Sequence, residues 1–286
     1  MHIFRRLIFI LIFGLILTSC SSIISSATNK MAKNLSTAIM NNDDLATVRA
    51  GAPAYLLMLD SFVEGDPEDS NMQIAAANLY SAYAGVFVKD DEQRAKRLTQ
   101  KSLDFALNAN CLIDESRCGL KTMEFKKFET IIEKYEKEDI ESLFILGSSW
   151  AGWIQSRRGD WNAAADLARV TKIMNHALKL DDRYQQGQIH LYLGVLNTLL
   201  PPALGGKPEI GKNHFEKAIE IAQGKNLMAK VLYAEKYARL VFNQELHDKL
   251  LNQVLKTEPQ LRGFTLTNML AHEQAKALLI SGEDYF

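Results

Sequence analysis

The chain has 286 residues with 33 basic and 34 acidic side chains, a formal charge of −1, and 47% hydrophobic residues. That near balance offers no basic field for nucleic acid and no like-charge block that would form an electrostatic tail. The length is ample for a buried core, and the hydrophobic content is that of an ordinary globular protein.

The first segment is not part of that core. Arg5 and Arg6 precede the apolar run Leu7 to Leu17, followed by Thr18, Ser19 and Cys20. A membrane-spanning helix needs roughly 20 apolar residues, whereas this run has eleven. It reads as a signal peptide over residues 1–19, cleaved and not threaded. Leu17-Thr18-Ser19-Cys20 has the form of a bacterial lipobox, which makes Cys20 the expected acylated N-terminus and residues 20–30 a short tether. Several acyl chains on one cysteine give stable anchoring. By similarity to proteobacterial lipoproteins, Ser21 after that cysteine favours the outer membrane. Cleavage would leave 31 basic against 34 acidic residues.

From residue 31 to 286 apolar residues recur at helical spacing, with no run of alternating β type, so the expected fold is all-α in one domain. Helices are predicted near 30–50, 53–64, 70–88, 91–109, 123–136, 139–157, 161–180, 184–200, 208–223, 227–241, 244–256 and 264–281. Pro53 suits a first helical position, Asp160 can cap the helix beginning at Trp161, and Glu68-Asp69-Ser70 supplies acids and a cap. Cys111 and Cys118 enclose six residues in an oxidising compartment. A disulfide is the expected state there, with two free thiols or a metal pair as alternatives.

Consecutive helices of about four turns on short loops suggest hairpins of the TPR type, about four cryptic repeats stacked into a superhelix with a concave surface. Four fits follow one another. They are Leu79, Ala82, Tyr83 and Ala95; Leu146-Gly147, Trp150, Val170, Met174 and Ala177; Leu193-Gly194, Gly211, Phe215 and Ala218; and Val231, Ala234, Ala238, Leu251, Val254 and Pro259. The third pair carries an insertion between its helices.

That insertion belongs to the most distinctive stretch of the chain. It runs from Asp182-Arg183-Tyr184-Gln185-Gln186-Gly187-Gln188-Ile189-His190 through Leu193-Gly194 to Leu200-Pro201-Pro202-Ala203-Leu204-Gly205-Gly206-Lys207-Pro208 and Phe215-Glu216-Lys217-Ala218. It resembles the T-component (TatT) family of tripartite ATP-independent periplasmic (TRAP) transporters. So do Ala52 to Leu57, Leu79 to Ala84 and Leu232 to Ala238. The resemblance implies a periplasmic TPR-like lipoprotein that forms a homotrimer and docks the transporter's substrate-binding P component, with a role in passing hydrophobic ligands. Family members often carry Gly-Pro-His where Gln188-Ile189-His190 stands, and Asp where Lys207 stands.

Three prolines and two glycines between Pro201 and Pro208 suggest a shaped lip. The candidate partner or ligand surface is therefore Leu200, Pro201, Pro202, Leu204, Gly205, Gly206 and Lys207, with His190 one helix earlier. His190 and His214 lack acids at zinc-motif spacing, so each is expected to be structural, and no metal or cofactor is expected. Trp150, Trp153 and Trp161, with Tyr184, Tyr192, Tyr233 and Tyr237, are expected in the core, the alternative being an apolar channel. The run Glu133 to Asp139 reads as a solvated face and turn. No nucleophile elbow, P-loop, zincin motif or catalytic carboxylate pair is present, so a binding protein and not an enzyme is expected. A general envelope-assembly lipoprotein serving outer-membrane or peptidoglycan machinery is the competing reading.

Overall fold

The computed structural model describes residues 30–31, 34–88 and 91–286, without the side chain of Leu204. The expected signal peptide, Cys20 and most of the tether lie outside the described residues. The chain divides into a unit ending at Ile39 and a compact unit from Met40 to Phe286, which is the one considered below.

The described secondary structure is all helical. In chain order it comprises α1 (Leu45–Gly65), α2 (Ser70–Phe87), α3 (Glu92–Ile113), α4 (Phe125–Ile132), α5 (Ile140–Gln155), α6 (Trp161–Ala165) and α7 (Leu167–Leu180). Then come α8 (Gln188–Asn197), α9 (Pro208–Ile221), α10 (Leu227–Leu232), α11 (Gln244–Lys256) and α12 (Thr265–Gly282). Acidic side chains start several of them: Asp44, Asp69 and Asp160 each accept two backbone N–H bonds from the first turn, and Asp91 accepts one. These bonds satisfy donors that have no partner within the helix.

Pro53 does not start a helix. Asp44 caps α1 instead, and Pro53 lies inside it. Proline has no N–H to give to the carbonyl four residues earlier, which is that of Arg49. The Tyr83 hydroxyl on α2 donates to the Arg49 oxygen at 3.3 Å, so the orphan is satisfied from the neighbouring helix.

Three other expected helices are shortened or broken, each for a local reason. The helix expected over 123–136 ends at Ile132, because Tyr135 turns inward, is 2% exposed, and donates to Asn110 Oδ1 at 2.9 Å. The one expected over 161–180 breaks at Asp166, whose carboxylate accepts from Trp150 Nε1 at 3.0 Å and from Lys121. The one expected from 184 begins only at Gln188, after Gln185, Gln186 and Gly187 all adopt positive φ. Beyond α10 the chain continues through Tyr233–Ala238 as a π-helical turn.

The helices pack antiparallel to their chain neighbours where the sequence supplies glycine. A Cβ on Gly147 would lie 2.7 Å from Ile173 Cγ2 and 2.8 Å from Met174 Cε, which fixes the approach of α5 to α7. One on Gly194 would lie 2.7 Å from the Phe215 ring, and one on Gly211 2.6 Å from Thr198 Cγ2, which does the same for α8 and α9. Two main cores result. The first gathers Leu103, Phe128, Leu146, Trp150, Ile173 and Ile189, and the second Phe215, Val231, Tyr233, Leu251 and Ala271. Near the start of the unit, Asn41 Oδ1 accepts from the Gly263 N–H at 2.7 Å and Asp43 from Gln260 Nε2 at 2.7 Å, tying it to the loop before α12.

Candidate functional site

The lip between α8 and α9 is built by its own backbone. Pro201 enters a single 3-10 turn, Pro202–Leu204, that Gly205 ends at φ 90°. Gly205 N–H donates to Pro202 O at 3.0 Å, Gly206 N–H to Pro201 O at 3.1 Å, and Lys207 N–H to Asn197 O at 2.9 Å. At Gly206 a Cβ would fall 1.6 Å from the Leu200 carbonyl oxygen, so no other residue closes the loop. Pro208 then occupies the first position of α9, where its missing N–H costs nothing. Proline, glycine and these bonds leave a lip of defined shape, with Leu200, Pro201, Pro202, Gly205 and Lys207 exposed.

His190 and His214, placed by sequence on either side of the lip, are brought into contact. Their Nδ1 atoms are 2.8 Å apart and their ring centroids 5.1 Å. His190 is buried, and its Nε2 has no hydrogen-bond partner. A buried N–H without an acceptor costs more than a bare lone pair, so His190 carries its proton on Nδ1 and donates it to His214. His214 Nδ1 must stay unprotonated to accept. Burial, and then the neighbouring His190, hold the His214 pKa down at about 4. Burial lowers that of His190 as well, against the opposing field of Asp182.

The aromatic residues separate into three settings. Trp150 is fully buried, Trp153 is half-buried, and Trp161 is 88% exposed. Tyr184 and Tyr192 pack against Phe144, with centroids 5.2 and 5.5 Å away. Tyr233 stacks on Phe215 at 5.6 Å and donates to Glu216 Oε1 at 3.0 Å, while Tyr237 donates to Glu209 Oε1 at 2.7 Å. Burial followed by the Glu209 hydrogen bond pushes the Tyr237 phenol up to about 12. An open groove lined by Leu45, Ala46, Arg49, Ala50 and Glu273 runs beside α1, and none of these aromatics lines it. In the run Glu133 to Asp139, Tyr135 is core and Asp139 receives two Arg117 nitrogens, at 2.9 and 2.8 Å; Lys134, Glu136, Lys137 and Glu138 are exposed.

Cys111 and Cys118 are placed as a bonded pair with Cα atoms 4.4 Å apart. Between and beyond them the chain delivers two cations that sequence reading missed. Arg117 lies 4.0 Å from the Tyr135 ring centroid, and Lys121 Nζ lies 3.4 Å from that of Trp153. Arg157 lies 4.3 Å from the same indole. No short motif marks such contacts, because they join residues from separate elements. Among the described residues no three His, Cys, Asp or Glu side chains are arranged to hold a metal ion.

The described unit is thus a succession of helices with a preformed lip between α8 and α9. The family model of the TRAP transporter T-component matches residues 41–286, and the chain belongs to that family. It is also similar to an uncharacterized protein of Treponema pallidum (strain Nichols), 21% identical over 266 residues, a match covering 85% of this chain and 81% of that protein. Family membership makes the chain an accessory component of a TRAP transporter, periplasmic or membrane-associated. No described helix is long and apolar enough to cross a membrane.

Proposed function

We propose that the protein is a lipoprotein held at the periplasmic face of a bacterial membrane, the outer membrane by preference, through acylated Cys20. There it binds the substrate-binding P component of its TRAP transporter. The lip Leu200 to Pro208 forms part of the docking surface or the mouth of a site for a hydrophobic ligand, and the working form is a homotrimer. The stacked hairpins are read as TPR-like repeats.

The observation that carries this reading is the lip, set within a family match that spans nearly the whole helical unit. A loop already fixed by its own hydrogen bonds loses little conformational entropy when a partner orders it. Co-purification from the native envelope, with crosslinking and mass spectrometry, tests the reading. A TRAP P component crosslinked to residues of the lip supports it, and a cell-wall hydrolase in its place overturns it.

A further inference from the structure

Of the six residues between Cys111 and Cys118, Arg117 alone is buried. Its guanidinium donates to both Asp139 oxygens, at 2.9 and 2.8 Å, and lies 4.0 Å from the Tyr135 ring centroid. A two-point ion pair of this kind fixes orientation as well as position. Asp139 directly precedes α5, and Tyr135 is tied to α3 through Asn110. One side chain therefore pins the turn to the stretch between α4 and α5.

The rest of the turn is also held without the sulfurs. Asp114 N–H donates to Asn110 O at 3.2 Å, and Asp114 Oδ1 accepts from Ser116 N–H at 2.8 Å. Arg117 N–H reaches Asp114 O at 2.9 Å, and Cys118 N–H reaches Glu115 O at 3.1 Å. Past Cys118 the chain is gripped again. Leu120 is fully buried, Arg169 donates to Leu120 O at 3.4 Å and to Met123 O at 2.5 Å, and Lys121 pairs with Asp166. A free thiol at Cys118 also has an acceptor, because its Sγ lies 3.8 Å from Cys111 O. Both cysteines are half-buried, beside exposed Leu112, Ile113 and Glu115, so a small thiol can reach the pair.

We infer that Cys111 and Cys118 form a thiol–disulfide exchange site that opens and closes on the folded unit, with Arg117 as the positioning residue that keeps the sulfurs together when the bond is open. The inference is independent of partner docking. The chemistry is two-electron exchange with two donor thiols, on one molecule or on two. A donor thiolate attacks one protein sulfur, a mixed disulfide forms, and the other cysteine leaves as thiolate. The second donor thiolate attacks the donor sulfur of the mixed disulfide and releases the remaining cysteine. Protein disulfide and two donor thiols become protein dithiol and one donor disulfide, and the two donor protons end on the cysteines. An oxidised donor runs the sequence backward. Closing a free segment costs entropy, but a turn held by Arg117 has already lost that freedom. In the chain-entropy model the bond acts on the unfolded chain, so opening it leaves the native contacts in place. By the same linkage, folding raises the effective concentration of one thiol at the other roughly 30- to 150-fold.

The test uses residues 20–286 with Cys20→Ser, so that alkylation and intact mass count the two remaining thiols. Dithiothreitol without denaturant should open the bond completely while helical circular dichroism and indole emission stay near the oxidised values. Lys121 Nζ, 3.4 Å from the Trp153 ring centroid, makes that emission sensitive to the turn. In mixtures of reduced and oxidised glutathione, the native chain should close the bond at an effective concentration roughly 30- to 150-fold above that of the urea-unfolded chain. Arg117→Met should lower the native value roughly tenfold with the helical signal retained, and Arg117→Lys should recover part of the loss. Asp139→Asn loosens the same grip while leaving Arg117 in place, and decides the matter if Arg117→Met does not fold. It should lower the native value as well. Reduction that requires denaturant, loss of helix on reduction, or a native value no higher than the unfolded one overturns the inference. A native value unchanged by Arg117→Met and by Asp139→Asn overturns the role of Arg117.

Discussion

His190 Nδ1 and His214 Nδ1 meet at 2.8 Å across the helices that carry the lip. One proton serves the contact, and a second has nowhere to go. The folded His214 pKa of about 4 lies below its ordinary 6.5, so the unfolded chain binds more protons between these values. Stability from this group is complete above about pH 6.5 and is lost as pH falls toward 4. Thermal melts across that range should show a falling Tm in wild type and a flatter profile in His214→Asn. Identical profiles would mean that the contact is not the titrating element.

Gly194 and Gly211 set the distance between α8 and α9. Gly194→Ala should cost about 1–3 kcal/mol through overlap with the Phe215 ring, and Phe215→Leu in the same chain should recover part of that. Urea unfolding of the single and double variants measures both. A neutral Gly194→Ala would contradict the packing described.

The Tyr83 hydroxyl and Pro53 form a compensating pair through the Arg49 carbonyl. Tyr83→Phe should destabilise by about 0.5–1.5 kcal/mol. The loss should shrink when Pro53→Ala restores an N–H that can reach that oxygen. Additive effects in the double variant would refute the pairing.

Cys111 and Cys118 should resist alkylation in the mature protein until a reductant is added, as read by intact mass. Two labelled thiols in untreated protein would refute a disulfide. Replacing both by Ser should cost roughly 2–3 kcal/mol in the chain-entropy model, and so weaken folding without abolishing it.

Much of the helical order was legible in the sequence because its signals are local. Acidic caps at Asp69 and Asp160, turn glycines and apolar periodicity act within one or two turns, and the small residues Gly147, Gly194 and Gly211 mark close approaches. Features made between elements were not legible. Pro53 looked like a helix start because nothing local reveals that Tyr83 can satisfy Arg49. The break at Asp166 depends on Trp150 and Lys121, and the loss of the last turn of α4 depends on Asn110. At the candidate site, proline and glycine spacing announced the lip, whereas the His190–His214 contact required α8 and α9 to be set side by side.

The central claim is that the protein docks the P component of its transporter through the lip. Its most direct measurement is calorimetric titration of the purified chain with the TRAP substrate-binding protein of its own organism. Saturable binding is predicted, weakened roughly tenfold by Lys207→Glu or Leu204→Asp while circular dichroism and Tm stay near wild type. Absence of binding to any TRAP substrate-binding protein of that organism would contradict the assignment, and undiminished binding by both variants would contradict the surface.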